Sequence, residues 1–394
     1  MKGVDKMIGL PLAISSWDEK EIQAIERVIK SGHYTMGEEV SRFECMFAQY
    51  FGARYAVMVN SGSSANLLAI GALTFKKNNP LKSGDEIIVP SLSWSTTYYP
   101  VSQYGMRLVF VDIDLESLNI SVEHIQRAIT PQTKAIFVPS ILGNPADLPR
   151  IKAICEKHGL YLIEDNCESM GAVIEGKHVG TYGVCGTFSC FFSHHISTME
   201  GGMVVTDNEE LYHILLCLRA HGWTRQLPTE SELHKKSEDE FYEKFNFILP
   251  GYNLRPLEMS GAIGVEQLTK LPNFLRIRRQ NAEHFVSLLS ESNDFVIQKE
   301  IGSSSWFGFS MILKESSQLN RSDILKKLAE KGIETRPIIS GNFLRQPVIK
   351  HLSYRKYGDH FHAERVHDAG FFIGNHPIDI RKELDSLHCV LGTL

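Results

Sequence analysis

YAVMVNSGSSANLLAIGALTF, residues 55–75, decides the fold. Its first six residues are a short apolar run suited to a strand covered on both faces, and LLAIGALTF at its end is apolar over helical length. Between the two lies Ser61-Gly62-Ser63-Ser64-Ala65-Asn66, a Gly/Ser turn leading into the helix. The same alternation recurs outward from this unit. Apolar runs stand at 85–90 (DEIIVP), 107–114 (RLVFVDID), 134–139 (KAIFVP), 160–165 (LYLIED), 187–192 (TFSCFF) and 203–207 (MVVTD), separated by helical stretches. Strands apolar on both faces and spaced by helices predict a large, mostly parallel α/β/α sheet. Toward the N-terminus, Ser16 with Glu19 reads as a capping box for a helix over 18–31. Ile22, Ile25, Val28 and Ile29 share one face of it, and Gly32 marks its end.

A polar stretch at 228–245 breaks the rhythm. Beyond it come helical material at 257–291, strand candidates at 294–298 and 305–313, a helix at 322–332 and a strand at 333–338. This second pattern predicts a smaller α+β domain, dividing the chain into 1–249 and 250–394. A length of 394 residues suits such a division.

Composition narrows the partners. With 41 basic and 46 acidic residues, the net charge of −5 disfavours nucleic acid or an anionic membrane as the main partner. No apolar run approaches the roughly 20 residues of a membrane span, and MKGVDKMIGLPLAISSWD at the start lacks a signal-peptide pattern. The expected setting is the cytoplasm. Cys45, Cys155, Cys167, Cys185, Cys190, Cys217 and Cys389 are scattered with no CxxC pair, so neither an iron–sulfur cluster nor a zinc ribbon is expected.

Four places carry candidate chemistry. The Gly/Ser turn at 60–66 would present free backbone N–H groups and hydroxyls to an anion such as phosphate, or be a capped helix with no ligand. Asp165 closes an apolar run, and carboxyl ends of parallel strands face the ligand crevice; a protonated ring nitrogen, a metal or a turn amide would each suit it. Trp94, past another strand end, would stack on a flat ring or join the core. His194 and His195 are neighbours in FFSHHISTMEGG, so they point to opposite sides. No metal site is expected: HExxH is absent, and His360, His362 and His367 have only a loose metal-like spacing.

Taken together, SGSSAN, SWSTTYYP, EDNCES, SHHISTMEGG and GYNLRPLE, in that order over nearly the whole chain, resemble the sugar aminotransferase family of pyridoxal-phosphate fold type I. The resemblance implies an aspartate-aminotransferase-like large domain, a small C-terminal domain and a homodimer. By position, Gly62, Ser63 and Ser189 resemble the family's cofactor-phosphate residues, and Asn253 the residue reaching the partner subunit's site. Trp94 resembles the ring-stacking aromatic. Asp165 resembles the carboxylate that keeps the pyridine nitrogen protonated, and Glu168 stands beside the position of the ring hydroxyl. His221, in RAHGWTR, would line the sugar pocket or serve the fold.

One position departs from the transaminating pattern. Six residues before Glu200 of the E-G-G run, where relatives carry a Schiff-base lysine, stands His194. Imidazole has no primary amine and cannot form that bond, but it is a base near neutral pH. The other cofactor positions remain filled, which favours a working enzyme over a protein that only binds its ligands. The change resembles the family's sugar 3-dehydratases. SHHISTMEGG, LPGYNLRPLEMSGAIG and RPIISGNF are similar to those acting on GDP-linked 4-keto-6-deoxymannose. The resemblance implies pyridoxal 5'-phosphate, or its amine form pyridoxamine 5'-phosphate, held without a covalent bond. It also implies glutamate as amino donor and a nucleotide sugar as substrate. A nucleotide-sugar 4-aminotransferase is the alternative, but no lysine occupies a matching motif position.

Overall fold

The computed structural model describes residues 9–393; the opening residues of the N-terminal segment discussed above lie outside that range. The first helix, α1 (Glu19–Ser31), is capped by Asp18, whose backbone N–H donates to Glu21 at 2.8 Å. This corrects the Ser16–Glu19 capping box expected above. Glu21 is fully buried and takes the Lys270 ammonium at 2.6 Å, so a tertiary ion pair sets the register, while Ser16 donates to Gln267. Gly32 ends the helix in the left-handed conformation, as expected. The apolar face is only partly covered: Val28 is buried, whereas Ile22 and Ile29 are exposed.

Next comes α2 (Glu38–Phe51), and then the strand–helix alternation begins. It runs β1 (Tyr55–Val59), α3 (Gly62–Thr74), β2 (Glu86–Pro90), α4 (Ser95–Gln103) and β3 (Arg107–Val111). It continues through α5 (Val122–Ala128), β4 (Thr133–Pro139), α6 (Leu148–His158) and β5 (Tyr161–Asp165). A small hairpin, β6 (Val173–Ile174) and β7 (Lys177–His178), precedes β8 (Cys185–Ser189), β9 (Gly202–Thr206) and α7 (Glu209–Arg219). The polar stretch holds one short helix, α8 (Glu240–Glu243). The 32-residue α9 (Glu258–Leu289) leads to β10 (Phe295–Ile297), β11 (Gly308–Leu313), α10 (Arg321–Glu330) and β12 (Thr335–Arg336). The described chain closes with β13 (Tyr354–Lys356), α11 (Phe361–Ala369), β14 (Gly370–Gly374) and α12 (Arg381–Leu391).

Among the described residues, eight strands form one sheet in the order β1-β9-β8-β5-β4-β2-β3-β13. β9 runs against both its neighbours and the remaining pairs are parallel. One face packs on α3, α4 and α7, the other on α5 and α6. Parallel strands end on the same edge, so β2, β4, β5 and β8 all deliver their carboxyl ends to one crevice. A second, antiparallel sheet, β10-β11-β14-β12, carries its own core with α10, α11, α12 and the end of α9. The chain passes between the two sheets more than once. Phe343 packs in the large core and β13 extends the large sheet, while Leu10 bridges to Ile333 beside the small one. No helix among the described residues is long and apolar enough to cross a membrane.

The first residue of α9 ties it to α2. The Glu258 carboxylate, 4% exposed, accepts the N–H groups of Gly37 at 2.5 Å, Glu39 at 2.6 Å and Val40 at 3.3 Å. A helix N-terminus leaves such donors unsatisfied and favours negative charge. A Cβ at Gly37 would sit 2.8 Å from the carboxylate, so a larger residue there would push Glu258 off these donors. Glu258→Ala should lower stability by about 1.5–3 kcal/mol, the range for hydrogen bonds to a charged group. The measurement is urea unfolding, with a lower midpoint at unchanged slope.

Candidate active site

The crevice holds a cavity of about 550 Å³ that brings together Gly62, Ser63, Trp94, Asp165, Glu168, Ser189 and His194. Its floor is the start of α3. Ser61 caps the helix by accepting from the Ser64 N–H at 3.1 Å. The N–H groups of Gly62 and Ser63, in the first turn, have no intrahelical acceptor and open on an anion-binding position. Two glycines make the approach possible. A Cβ on Gly62 would lie 2.6 Å from Ser189 Cβ and 2.9 Å from Cys167 Sγ, and one on Gly202 would lie 2.2 Å from the Ser61 carbonyl oxygen. The β8–β9 hairpin is thereby pressed against the turn, leaving backbone donors and the Ser189 hydroxyl around one small space.

Asp165, at the end of β5 and 7% exposed, is held by three donors. Asn66 Nδ2 and Thr97 Oγ1 each lie 2.8 Å from Oδ2, and the Cys167 N–H donates to Oδ1 at 3.2 Å. Asn66 is itself fixed by Thr187, whose hydroxyl donates to its Oδ1 at 2.6 Å. Glu168 accepts the Leu142 N–H at 3.0 Å, and burial, aided by the nearby Asp165 charge, pushes its carboxyl up to about 7. Trp94 stands at the N-cap of α4, 57% exposed, and lines the cavity.

The two adjacent histidines part company. His194 lies in the cavity wall, its ring packed on Phe307 at 5.2 Å and Phe191 at 5.8 Å between centroids. Its Nδ1 is buried and unpartnered, which leaves Nε2 as the atom open to the cavity. Burial, with a contribution from the Arg278 charge, lowers the imidazole to about 4, so the ring is neutral at physiological pH. His195 is fully buried and sits 3.1 Å from the Ser305 carbonyl through Nε2. No lysine lines the cavity among the described residues.

Two of the expected residues stand elsewhere. Asn253 is exposed and outside the cavity, bridging to Ala220 and accepting from Arg255 Nε at 2.9 Å. His221 packs edge-on against Trp223 at 4.7 Å and is likewise not in the cavity wall. His360 contacts Ser91 and His362 the Ile113 carbonyl; among the described residues no three candidate ligands cluster around a metal position. Conversely, Thr96, Cys167, Glu200, Phe307, Arg336 and Phe372 line the cavity without having been singled out. Of these Thr96, Cys167, Glu200 and Arg336 stood within quoted motifs without a role as wall positions; Arg336 and Phe372 arrive from the small sheet.

Comparison with known proteins places this architecture. Residues 15–385 match the DegT/DnrJ/EryC1/StrS aminotransferase family, and the chain belongs to it. Within it, the chain is 56% identical over 387 residues to the GDP-4-keto-6-deoxy-D-mannose 3-dehydratase of Yersinia pseudotuberculosis, covering 98% of both chains. The solved E. coli GDP-4-keto-6-deoxy-D-mannose-3-dehydratase with bound hydrated PLP superposes with a TM-score of 0.96 at 53% identity, covering 98% of this chain and 100% of that one. A structure of GDP-4-keto-6-deoxymannose-3-dehydratase with a trapped PLP–glutamate geminal diamine matches with the same score and identity, over 97% and 100%.

Proposed function

We propose that this chain is a pyridoxal-phosphate-dependent GDP-4-keto-6-deoxy-D-mannose 3-dehydratase. Glutamate is the amino donor, and 2-oxoglutarate, ammonia and the GDP-linked 4-keto-3,6-dideoxy sugar are the products. The observation that carries the reading is an imidazole, and no amine, in the wall of a cavity whose other positions suit the cofactor. The residues fit that group. The space a Cβ on Gly62 would fill lies beside two free N–H groups and the Ser63 and Ser189 hydroxyls, which would take a phosphate. Asp165 would face a protonated ring nitrogen, Trp94 would cover the ring and Glu168 would lie beside its hydroxyl. The bound group would supply an amine for the sugar's C4 ketone and a conjugated ring that accepts and returns an electron pair.

His194 does the proton work. With its ring neutral, Nε2 accepts the proton removed on the cofactor side of the reaction, and the electrons released expel the C3 hydroxyl. A lysine amine would deliver that proton to the sugar's C4 and leave an amino sugar; an imidazole fixed against Phe307 and Phe191 favours elimination. Asp165, pinned by Asn66 and Thr97, lines the cavity with its carboxylate, which would favour protonation of a bound ring nitrogen. Cofactor binding rests on hydrogen bonds and stacking alone.

The division at 1–249 and 250–394 assigns cofactor binding to the large unit, with Arg336, Ile339 and Phe372 closing the cavity from the smaller one. Asn253, exposed and outside its own cavity, is available to a partner's site, which supports a homodimer. A reducing cytoplasm suits seven free cysteines.

The test is a mass spectrum of the sugar nucleotide after incubation with protein, pyridoxal phosphate, glutamate and GDP-4-keto-6-deoxymannose. The expected product has lost one oxygen and is accompanied by one equivalent of ammonia and of 2-oxoglutarate. A product with nitrogen in place of the keto oxygen would make the protein an aminotransferase.

A further inference from the structure

Behind the cavity wall lies a buried cation with an unusual set of neighbours. Arg278, on α9, is 4% exposed. Its Nη1 donates to the Asn375 carbonyl at 2.5 Å and the Phe307 carbonyl at 3.3 Å, while Nε is buried without a partner. No carboxylate pairs with it among the described residues. Buried charges are ordinarily paired, so a guanidinium left with carbonyl dipoles alone calls for an explanation. Three imidazoles surround it: His194, His195 and His376 are each pushed toward the neutral form first by burial and next by the Arg278 charge.

The connection to His194 is also mechanical. Phe307, whose carbonyl Arg278 holds, places its ring 5.2 Å from His194 and 5.7 Å from His195. The turn that carries it is fixed along its length. Arg279 Nε donates to the Ser304 carbonyl at 2.9 Å, Asn375 Nδ2 to the Trp306 carbonyl at 2.8 Å, and the Ser305 N–H to Gly143 at 2.9 Å. Trp306 has φ of 48°, a left-handed conformation that a bulky residue adopts only when its surroundings impose it.

We propose that Arg278 is a positioning residue for His194, holding Phe307 against the imidazole and placing an unneutralised positive charge behind the cavity wall. That charge disfavours protonation of the ring. This rests on His194 being the base of the reaction proposed above. The other titratable groups that share its cavity or packing are Asp165 and Glu168 after β5, Glu200 in its own segment, Arg336 on β12, Arg279 beside Arg278, and buried His195. Of the charges around it, that of Arg278 is the one that bears on the His194 ring.

Titration of His194 in the cofactor-free protein tests this independently of turnover. With histidine labelled at Cε1, the carbon–proton signal that disappears in His194→Asn is that of His194. The wild-type midpoint should lie near 4. Arg278→Gln, which keeps an amide donor for the carbonyls but no charge, should raise it by about one pH unit, burial accounting for the larger part of the depression. Arg278→Lys, which keeps the charge, should leave it low. In the loaded enzyme, the acid limb of kcat/KM should move upward in Arg278→Gln only, because a base works when unprotonated and a raised pKa delays its onset. Equal midpoints in wild type and Arg278→Gln overturn the proposal. So does an ordinary midpoint, about 6.5, in wild type or in Arg278→Lys, which decides the matter even if the glutamine variant does not fold. Failure of the underlying reading is separate: it would appear as turnover surviving in His194→Asn, whatever the titrations give.

Discussion

His194→Asn should abolish 3-dehydration, lowering kcat by about 10²–10⁴-fold, the contribution of a positioned acid–base group, with cofactor still bound. Asparagine is smaller than histidine and carries no basic nitrogen, so the base is lost without adding bulk to the cavity wall. None of the hydrogen bonds that hold Asp165, or that cap α3, involves His194. The cofactor's absorption spectrum and its retention through gel filtration should therefore match wild type. The ring's contacts with Phe307 and Phe191 are lost, but this wall faces the cavity and the cost to the fold should be small. Substantial turnover in the variant would remove His194 from the proton transfer and return attention to Glu168, the cavity carboxyl that burial pushes up to about 7.

Asp165→Asn should be nearly as damaging and for a different reason. Oδ2 receives both Asn66 and Thr97, so an amide oxygen placed there preserves those two bonds and the fold with them. What disappears is the negative charge, together with the bond to the Cys167 N–H if the amide nitrogen takes the Oδ1 position. Without the charge, a bound pyridine nitrogen loses the partner that favours its protonation, and the ring becomes a poorer electron acceptor. Removing such a preorganised electrostatic contact in a water-poor site costs about 10²–10³ in kcat. Dehydration assays set beside thermal unfolding separate the outcomes: a fall in kcat with an unchanged unfolding temperature is expected, whereas a parallel loss of both would make Asp165 a structural carboxylate.

The parts of this protein that could be read from its sequence are those whose signal is local. Each of the seven apolar runs from 55 to 207 overlaps a strand of the large sheet, though the 187–192 run shares only 187–189 with β8, because a strand covered on both faces needs continuous apolar residues whatever its neighbours. β13 gives no such signal. Tyr354-Arg355-Lys356 is a strand only because β3 offers an edge to pair with. The run at 305–313 was read as all strand, yet pairing begins at Gly308, since the left-handed Trp306 turns Phe307 away from the sheet and toward His194. That conformation follows from Asn375 and Gly143, far away in the chain. The phenylalanines of α2 at 43, 47 and 51 have helical spacing and were there to be read.

The site divides the same way. Gly62, Asp165, Ser189 and His194 sit at strand ends or beside them, so recognising the strands located them. The groups that tune them do not. Asn66 and Thr97 meet Asp165 across the sheet edge, and Arg278 reaches His194 from a helix 84 positions later in the chain. Nothing in LRIRRQ at 275–280 announces which of its three arginines turns inward or what it meets there.

That helix also fixes what kind of change the chain can absorb. α9 caps α2 with Glu258 at one end and presents Arg278 behind the cavity farther along, about 30 Å away at 1.5 Å per residue. Residues between the two can be exchanged one at a time with local consequences. Their number cannot be altered. A single inserted or deleted position would swing everything beyond it by about 100° around the helix axis, turning the guanidinium away from the histidines while the cap at the far end stayed in place. Tolerance to insertions should therefore be sought in the polar segment before the helix and denied to the helix itself, which works as a spacer of fixed count between two layers of the molecule.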